Sequence, residues 1–373
     1  MSAIQPPLRV AIAGLGFGEK VHLPALRACP HTAPAALWHP RQERLEAACR
    51  KAELPGHRDY AALLDDPAID AVVIATPPAP RFSLAKQALE AGKHVMLEKP
   101  VALCAEDAEE LQRLALRNNL TVAVDFEYRA VPLFQQLDAL VKSGILGELY
   151  LVKLDWLMSS RADGSRPWNW YSQSSEGGGV LGALGTHAFD TLHWLVGPTR
   201  SLRAQLSTAI HQRPLPEGSL VQGSLAEGTL ATSSHGTVDA EDIALVQLEL
   251  ESPRGSLVPA QMTLASVTRR GRGYWIELYG SAGTAVLGSD NQADYVHGFG
   301  LWQSQGGEPL RAIEPDPHWA FERTWEDGRI APVERLHGWW SQAIAQGRPM
   351  VPGLGEGVLS QRCCDWARNG FCG

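Results

Sequence analysis

The chain has 373 residues, 45% hydrophobic and 20% charged, enough to bury two cores of ordinary domain size without disulfides or metals. Its 33 basic against 41 acidic residues give a net charge of −8, which argues against the basic surface that nucleic acid requires. There is no apolar run of membrane-spanning length and no basic-then-apolar leader, so the expectation is a soluble cytoplasmic protein with no membrane partner.

Leu8 to Ala13 reads as a short buried strand, stopped by Gly14-Leu15-Gly16-Phe17-Gly18 and followed by helix to about Ala28. Ala35 to Trp38 is a second strand and Gln42 to Lys51 a helix. Ile69 to Ala75 is a third strand, ended by Thr76-Pro77-Pro78, with helix from Phe82 to Ala91. His94 to Leu97 leads into Glu98-Lys99-Pro100. Helix over Glu106 to Asn118 and a strand over Leu120 to Val124 follow. Apolar strands alternating with helices of about ten residues predict a doubly wound parallel sheet, whose ligands bind beyond the carboxyl ends of the strands. Gly14 to Gly18, Thr76-Pro77 and Glu98-Lys99 all follow strand ends and converge on that edge.

Beyond residue 124 the pattern changes. Pro132 to Lys142 and Gly179 to Val196 read as helical. Strands are expected over Leu149 to Trp156, Leu202 to Ile210, Ile243 to Leu250, Leu257 to Leu264, Tyr274 to Leu278 and Thr284 to Leu287. Residues 211 to 238, rich in Gly, Ser and Pro, suggest a long excursion. Glu334 to Ala345 and Gly355 to Asn369 read as closing helices. The expected organisation is a Rossmann domain over 1–124 and an α+β domain with a large, mostly antiparallel sheet over 125–373. The six cysteines form no CxxC pair and read as small hydrophobes in a reducing compartment.

A glycine loop between a strand and a helix lets backbone N–H groups approach a pyrophosphate, so Gly14, Gly16, Phe17 and Gly18 are candidate cofactor contacts. A tight turn packing helix on sheet is the plain alternative. Glu19 stands where the third glycine of the full GxGxxG pattern would be. After the second strand, Trp38-His39-Pro40-Arg41 contains no carboxylate for a ribose 2′-hydroxyl. Arg41 and His39 suit a 2′-phosphate, which favours NADP over NAD. No metal-ligand spacing stands out, and no GxSxG nucleophile elbow occurs.

The glycine loop, AVVIATPP (71–78), AGKHVMLEKP (91–100) and GGGVLGALGTHAFD (177–190) together resemble the Gfo/Idh/MocA oxidoreductase family, in order along most of the chain. The resemblance implies a nicotinamide cofactor, with Thr76, Pro77, Glu98 and Lys99 beside it. It also implies a small-molecule substrate, a sugar or cyclitol, whose secondary alcohol is oxidised or reduced. The open face of the second sheet is implied as the interface of a homo-oligomer, a dimer or tetramer. Lys99 maps to the family's lysine near nicotinamide and substrate, and His187 to its general acid/base. Both types suit removal of a hydroxyl proton alongside a hydride.

Asp190 shares a helix face with His187, and Tyr128, Trp168 and Trp170, with Arg129 and Tyr171 nearby, are candidate substrate walls. One position departs from the family pattern: Ala183 stands four residues before His187, where Asp is frequent. That departure keeps open a second reading, a catalytically weak NADP(H)-binding or metabolite-sensing protein on the same fold.

Overall fold

The computed structural model describes residues 6–216, 234–291, 294 and 297–370. Its first sheet contains β1 (Leu8–Ala13), β2 (Thr32–Trp38), β3 (Gly56–His57), β4 (Ala71–Ile74), β5 (His94–Leu97) and β6 (Val122–Val124). All pairs are parallel, in the order β3-β2-β1-β4-β5-β6. Between the strands run α1 (Leu23–Ala28), α2 (Gln42–Ala52), α3 (Tyr60–Leu64), α4 (Pro78–Glu90) and α5 (Ala105–Arg117). The strand order reverses between β1 and β4, which places the crevice above Gly14.

Side-chain alternation divides this sheet into two apolar layers. Ala11, Ala13, Val72, Ile74, Val95 and Leu97 face α4 and α5, while Val10, Ile12, Ala71, Val73 and Met96 face the opposite side.

The second half contributes α6 (Pro132–Ser143), β7 (Leu149–Leu157), α7 (Thr186–Leu195), β8 (Thr199–Ser207), the short strands β9 (Gln212–Pro214) and β10 (His235–Thr237), β11 (Ile243–Glu251), β12 (Leu257–Ala265), β13 (Gly273–Gly280), β14 (Gly283–Ser289), β15 (Gly300–Gln305), β16 (Arg311–Ile313), α8 (Ile330–Ala345) and α9 (Leu354–Asn369). Eight of these strands form one sheet, ordered β16-β15-β14-β13-β7-β12-β11-β8, in which only β7 and β12 run parallel. Its inner face buries Leu154, Trp156, Val246, Met262, Tyr274 and Ile276 beneath α6 and α7.

Several short elements escaped the sequence pattern. β3, β9, β10, β15 and β16 span six residues or fewer, too few for alternation to stand out. The expected excursion begins and ends in the β9–β10 hairpin; residues 217–233 lie outside the described residues.

The closing helices do not stay with the second sheet. Leu336, Trp340 and Ala343 of α8 share a cluster with Val10, Ile12 and Val73, and Leu354 and Val358 of α9 pack with Val95 and Leu97. A cut after residue 124 is therefore a division of chain order, since the last helices cover both faces of the first sheet. Cys29, Cys363 and Cys364 are buried and Cys49 and Cys104 half-buried, all five as free thiols.

Candidate active site

The carboxyl ends of β1, β2, β4, β5 and β6 open into one cavity of about 740 Å³, a size typical of ligand sites. The glycine loop forms one wall. Gly14 has φ +106°, and a Cβ there would lie 2.6 Å from the Ala75 carbonyl, so only glycine lets β1 turn against the end of β4. At Gly16 a Cβ would meet nothing within 4 Å, leaving backbone open to the cavity. Gly18 does not line the cavity. A Cβ on it would lie 2.7 Å from Ile12 Cγ2, so Gly18 supplies the close helix–strand approach that Glu19 cannot.

At the β2 end the wall comprises Trp38, His39, Pro40, Arg41 and Arg44. Trp38 Nε1 donates to the Arg58 carbonyl at 3.1 Å, and His39 Nδ1 accepts from the Arg41 backbone at 3.0 Å. Burial lowers the His39 imidazole below its ordinary pKa. Among the described residues, the carboxylates on the cavity wall are Glu98 and Glu127, both at the far end, beyond β4.

Thr76 and Pro77 line the middle, with Thr76 Oγ1 buried and without a partner. Beneath them the buried Arg81 guanidinium donates to the carbonyls of Thr76 and Pro100, tying the ends of β4 and β5 together. The sequence pattern, whose helix begins at Phe82, does not mark Arg81; the helix observed starts at Pro78 and includes it.

Lys99 enters the cavity from the end of β5, and its Nζ donates to the Ala183 carbonyl at 2.9 Å. Ala183 sits in a π-helical turn, Leu181–Gly185, that leads into α7. Lys99 thus meets backbone at the position where the family pattern suggests a carboxylate. His187, the second residue of α7, is almost fully buried and caged by the rings of Phe126, Tyr128 and Trp156, at centroid distances of 5.8, 5.2 and 6.2 Å. Burial, then the charge of Lys99, pushes its imidazole well below the usual value, so the ring is neutral at neutral pH.

Glu127 was not anticipated. The chain leaves β6 and enters a 3-10 turn, Glu127–Ala130, which puts the Glu127 carboxyl on the cavity wall with Oε2 3.5 Å from His187 Nε2. Burial raises this carboxyl to about 7, against the opposing pull of Lys99.

A second unanticipated group lies just below. His22 Nε2 meets Glu98 Oε1 at 3.1 Å and Asp125 Oδ2 at 3.5 Å, and His22 Nδ1 meets His337 Nε2 at 3.1 Å. Burial, then His22, keeps His337 neutral. Burial alone would raise Glu98, but the hydrogen bond and charge of His22 hold it well below the carboxylate range. Burial and the neighbouring Glu98 and Glu127 push Asp125 the other way, well above the usual carboxylate value. His22, Glu98 and Asp125 bring three metal-type donors within 4.8 Å of one another.

The expected substrate walls divide. Tyr128 and Trp170 line the cavity, joined by Trp156, Met158 and Leu184. Trp168 does not: its Nε1 donates to the Thr237 carbonyl at 2.8 Å and its ring packs on Gly236, holding the β9–β10 hairpin. Asp190 is absent from the wall as well, being bound in two hydrogen bonds of 2.8 and 2.6 Å to the buried Arg129. Glycines 177–179 also serve packing, not ligand approach. Cβ atoms on Gly178 and Gly179 would lie 2.4 Å from the Tyr171 carbonyl and the Glu241 carboxylate.

Residues 8–126 match the model of the oxidoreductase family with an NAD-binding Rossmann fold, and residues 134–286 match that of the GFO/IDH/MocA C-terminal domain. An uncharacterized oxidoreductase of Synechocystis is 43% identical over 96% of this chain and 93% of its own length. Levoglucosan dehydrogenase of Pseudarthrobacter phenanthrenivorans is 30% identical over 94% and 92%. Among solved structures, levoglucosan dehydrogenase in complex with NADH and levoglucosan superimposes with a TM-score of 0.81 at 23% identity, over 96% of this chain and 95% of that one.

Proposed function

This chain belongs to the Gfo/Idh/MocA family of NAD-binding oxidoreductases, and from that premise we propose that it transfers a hydride between NADP(H) and a secondary alcohol or carbonyl of a sugar or cyclitol. The observation that carries this reading is the continuity of the cavity from the glycine loop and Arg41 to Lys99, Glu127 and His187. The residues fit a dinucleotide: Gly16 leaves backbone open, Thr76 Oγ1 is an unpartnered buried polar atom, and among the described residues no carboxylate lines the β2 end of the cavity. Gly14, Gly16 and Phe17 would hold the pyrophosphate, Trp38, His39, Arg41 and Arg44 the phosphorylated ribose, and Thr76, Pro77 and Glu98 the nicotinamide half. The relative crystallised with NADH does not decide this preference; the guanidiniums at the β2 end favour the 2′-phosphate.

When bound, the nicotinamide supplies the hydride acceptor or donor. Lys99 holds an ammonium beside the substrate oxygen, where it stabilises the negative charge that develops as the carbonyl forms or is reduced. Its bond to the Ala183 carbonyl fixes Nζ before substrate arrives. Trp156, Trp170, Tyr128 and Met158 present apolar faces to a sugar ring and exclude water.

The outward face of the second sheet carries Leu151, Leu245 and Leu257, each more than a third exposed, and a stacked pair, Trp275 and Trp302. A second copy of the chain is the proposed occupant of that face, and the cytoplasm the proposed compartment. Among the described residues, no helix is long and apolar enough to cross a membrane.

Titration of tryptophan fluorescence with NADPH and with NADH tests the cofactor, since Trp38, Trp156 and Trp170 line the cavity. Incubation of the NADP⁺-bound protein with levoglucosan, D-xylose and methyl glucoside, followed by absorbance of the reduced cofactor, tests the reaction. Tight NADPH binding with no turnover on any alcohol or its ketone would favour the sensor reading.

A further inference from the structure

We propose that Glu127 is the group that takes the substrate's hydroxyl proton, with His187 serving as the hydrogen-bond donor that positions it. The inference rests on the oxidoreductase reading above and assigns that reading's proton.

Three observations carry it. First, Glu127 and His187 both line the cavity, and the ring nitrogen turned to the carboxylate is Nε2, 3.5 Å from Oε2. Second, His187 Nδ1 is buried without a partner among aromatic rings, so the neutral ring places its one proton where an acceptor exists, on Nε2. A ring protonated at Nε2 has no lone pair there to receive a second proton. It can only donate, to Glu127 or to the substrate oxygen. Third, position 183 carries a methyl side chain, so the π turn before α7 offers no other carboxylate.

The charged groups facing Glu127 suit the role. Lys99 and Glu98 approach from the end of β5, Asp125 from β6, His187 from α7 and Arg329 from the segment before α8. Burial and Glu98 disfavour the anion and Lys99 and Arg329 favour it, leaving a carboxyl that titrates near neutrality, as a proton acceptor should. In oxidation the carbinol C–H bond breaks with its electron pair passing to the oxidised nicotinamide. The O–H bond breaks with its proton passing to Glu127, and a C=O double bond forms. Reduction runs the same transfers backwards, with Glu127 giving up the proton.

The first test needs no substrate. In the ¹⁵N-histidine NMR spectrum of the free protein, His187 is expected as the Nε2–H tautomer, with shifts that follow one titration near neutrality. Glu127→Gln should remove that titration and leave the tautomer. An Nδ1–H tautomer, or a titration that persists in the variant, overturns the assignment.

The second test is kinetic, with whichever of levoglucosan, D-xylose and methyl glucoside the wild type oxidises. Glu127→Gln should lower kcat by about 10²- to 10⁴-fold, abolish the rise of rate with pH near neutrality, and leave the NADPH titration unchanged. Glu127→Asp should restore the pH-dependent limb at a reduced rate, and His187→Gln should keep the limb. A limb lost in His187→Gln and kept in Glu127→Gln overturns the proposal while leaving the oxidoreductase reading intact. A wild type that oxidises none of the three and binds neither cofactor defeats the underlying reading instead.

Discussion

Lys99 Nζ donates to the carbonyl of Ala183 at 2.9 Å, across 84 residues of chain, so a lysine at the edge of the first sheet is aimed by a turn that leads into α7 of the second half. Lys99→Ala is expected to lower hydride transfer by about 10²- to 10³-fold, the usual cost of one electrostatic donor at a developing oxyanion. NADPH binding, followed by tryptophan fluorescence, should stay within a few-fold of wild type. Loss of binding with turnover otherwise preserved would contradict the role given to Lys99.

Arg41 and Arg44 stand at the carboxylate-free end of the cavity. Arg41→Ala should weaken NADPH binding by about 10- to 100-fold, the range for a charge-assisted hydrogen bond, and leave NADH binding nearly unchanged. Parallel titrations with the two cofactors measure the difference. Equal losses for both would remove the 2′-phosphate from the reading.

The Arg129–Asp190 pair is a structural strut, with both side chains buried and Trp194 lying 5.4 Å from the guanidinium. Asp190→Asn strands a buried cation and should cost about 3–5 kcal/mol in urea denaturation. At temperatures where the variant stays folded, KM for substrate should hold. A large rise in KM with stability unchanged would return Asp190 to the substrate site.

His193 lies buried against Thr199, its Nε2 2.9 Å from the hydroxyl, and burial followed by the charge of Arg129 lowers its pKa to about 4. An unfolded chain takes up this proton near pH 6.5, whereas the folded one resists until about pH 4, so the histidine's contribution to stability is present above pH 6.5 and is lost as pH falls toward 4. Stability of His193→Gln relative to wild type should therefore rise across that window, by up to about 3 kcal/mol. Urea denaturation of both proteins at several pH values reads the slope; parallel curves would show that the ring does not titrate this way.

The parallel sheet was legible because its strands are buried on both faces and punctuated by glycine or proline, and the motif residues at their ends fell where topology puts ligands. The position of Glu98, Lys99, Thr76 and the loop at Gly14 on the cavity wall follows from that topology, while the roles given to them rest on the resemblance. Glu127, His22 and His337 were invisible for a physical reason. His22 and His337 are separated by 315 residues, and a buried polar network declares itself only when its members meet. Trp168 and Asp190 misled because a large aromatic and a carboxylate near a pocket look the same in sequence whether they touch ligand, hold a hairpin or close an ion pair.

The packing of Trp340 beneath Val10 and Ile12 sets the order in which this molecule can be finished. A ribosome delivers the glycine loop and its strands first, yet one face of that sheet is covered only by α1 and α2, and His22 lacks His337, until more than two hundred further residues have emerged. The nascent nucleotide fold must wait for the chain's far end, so premature termination anywhere before α8 yields an incomplete first layer as well as a missing tail.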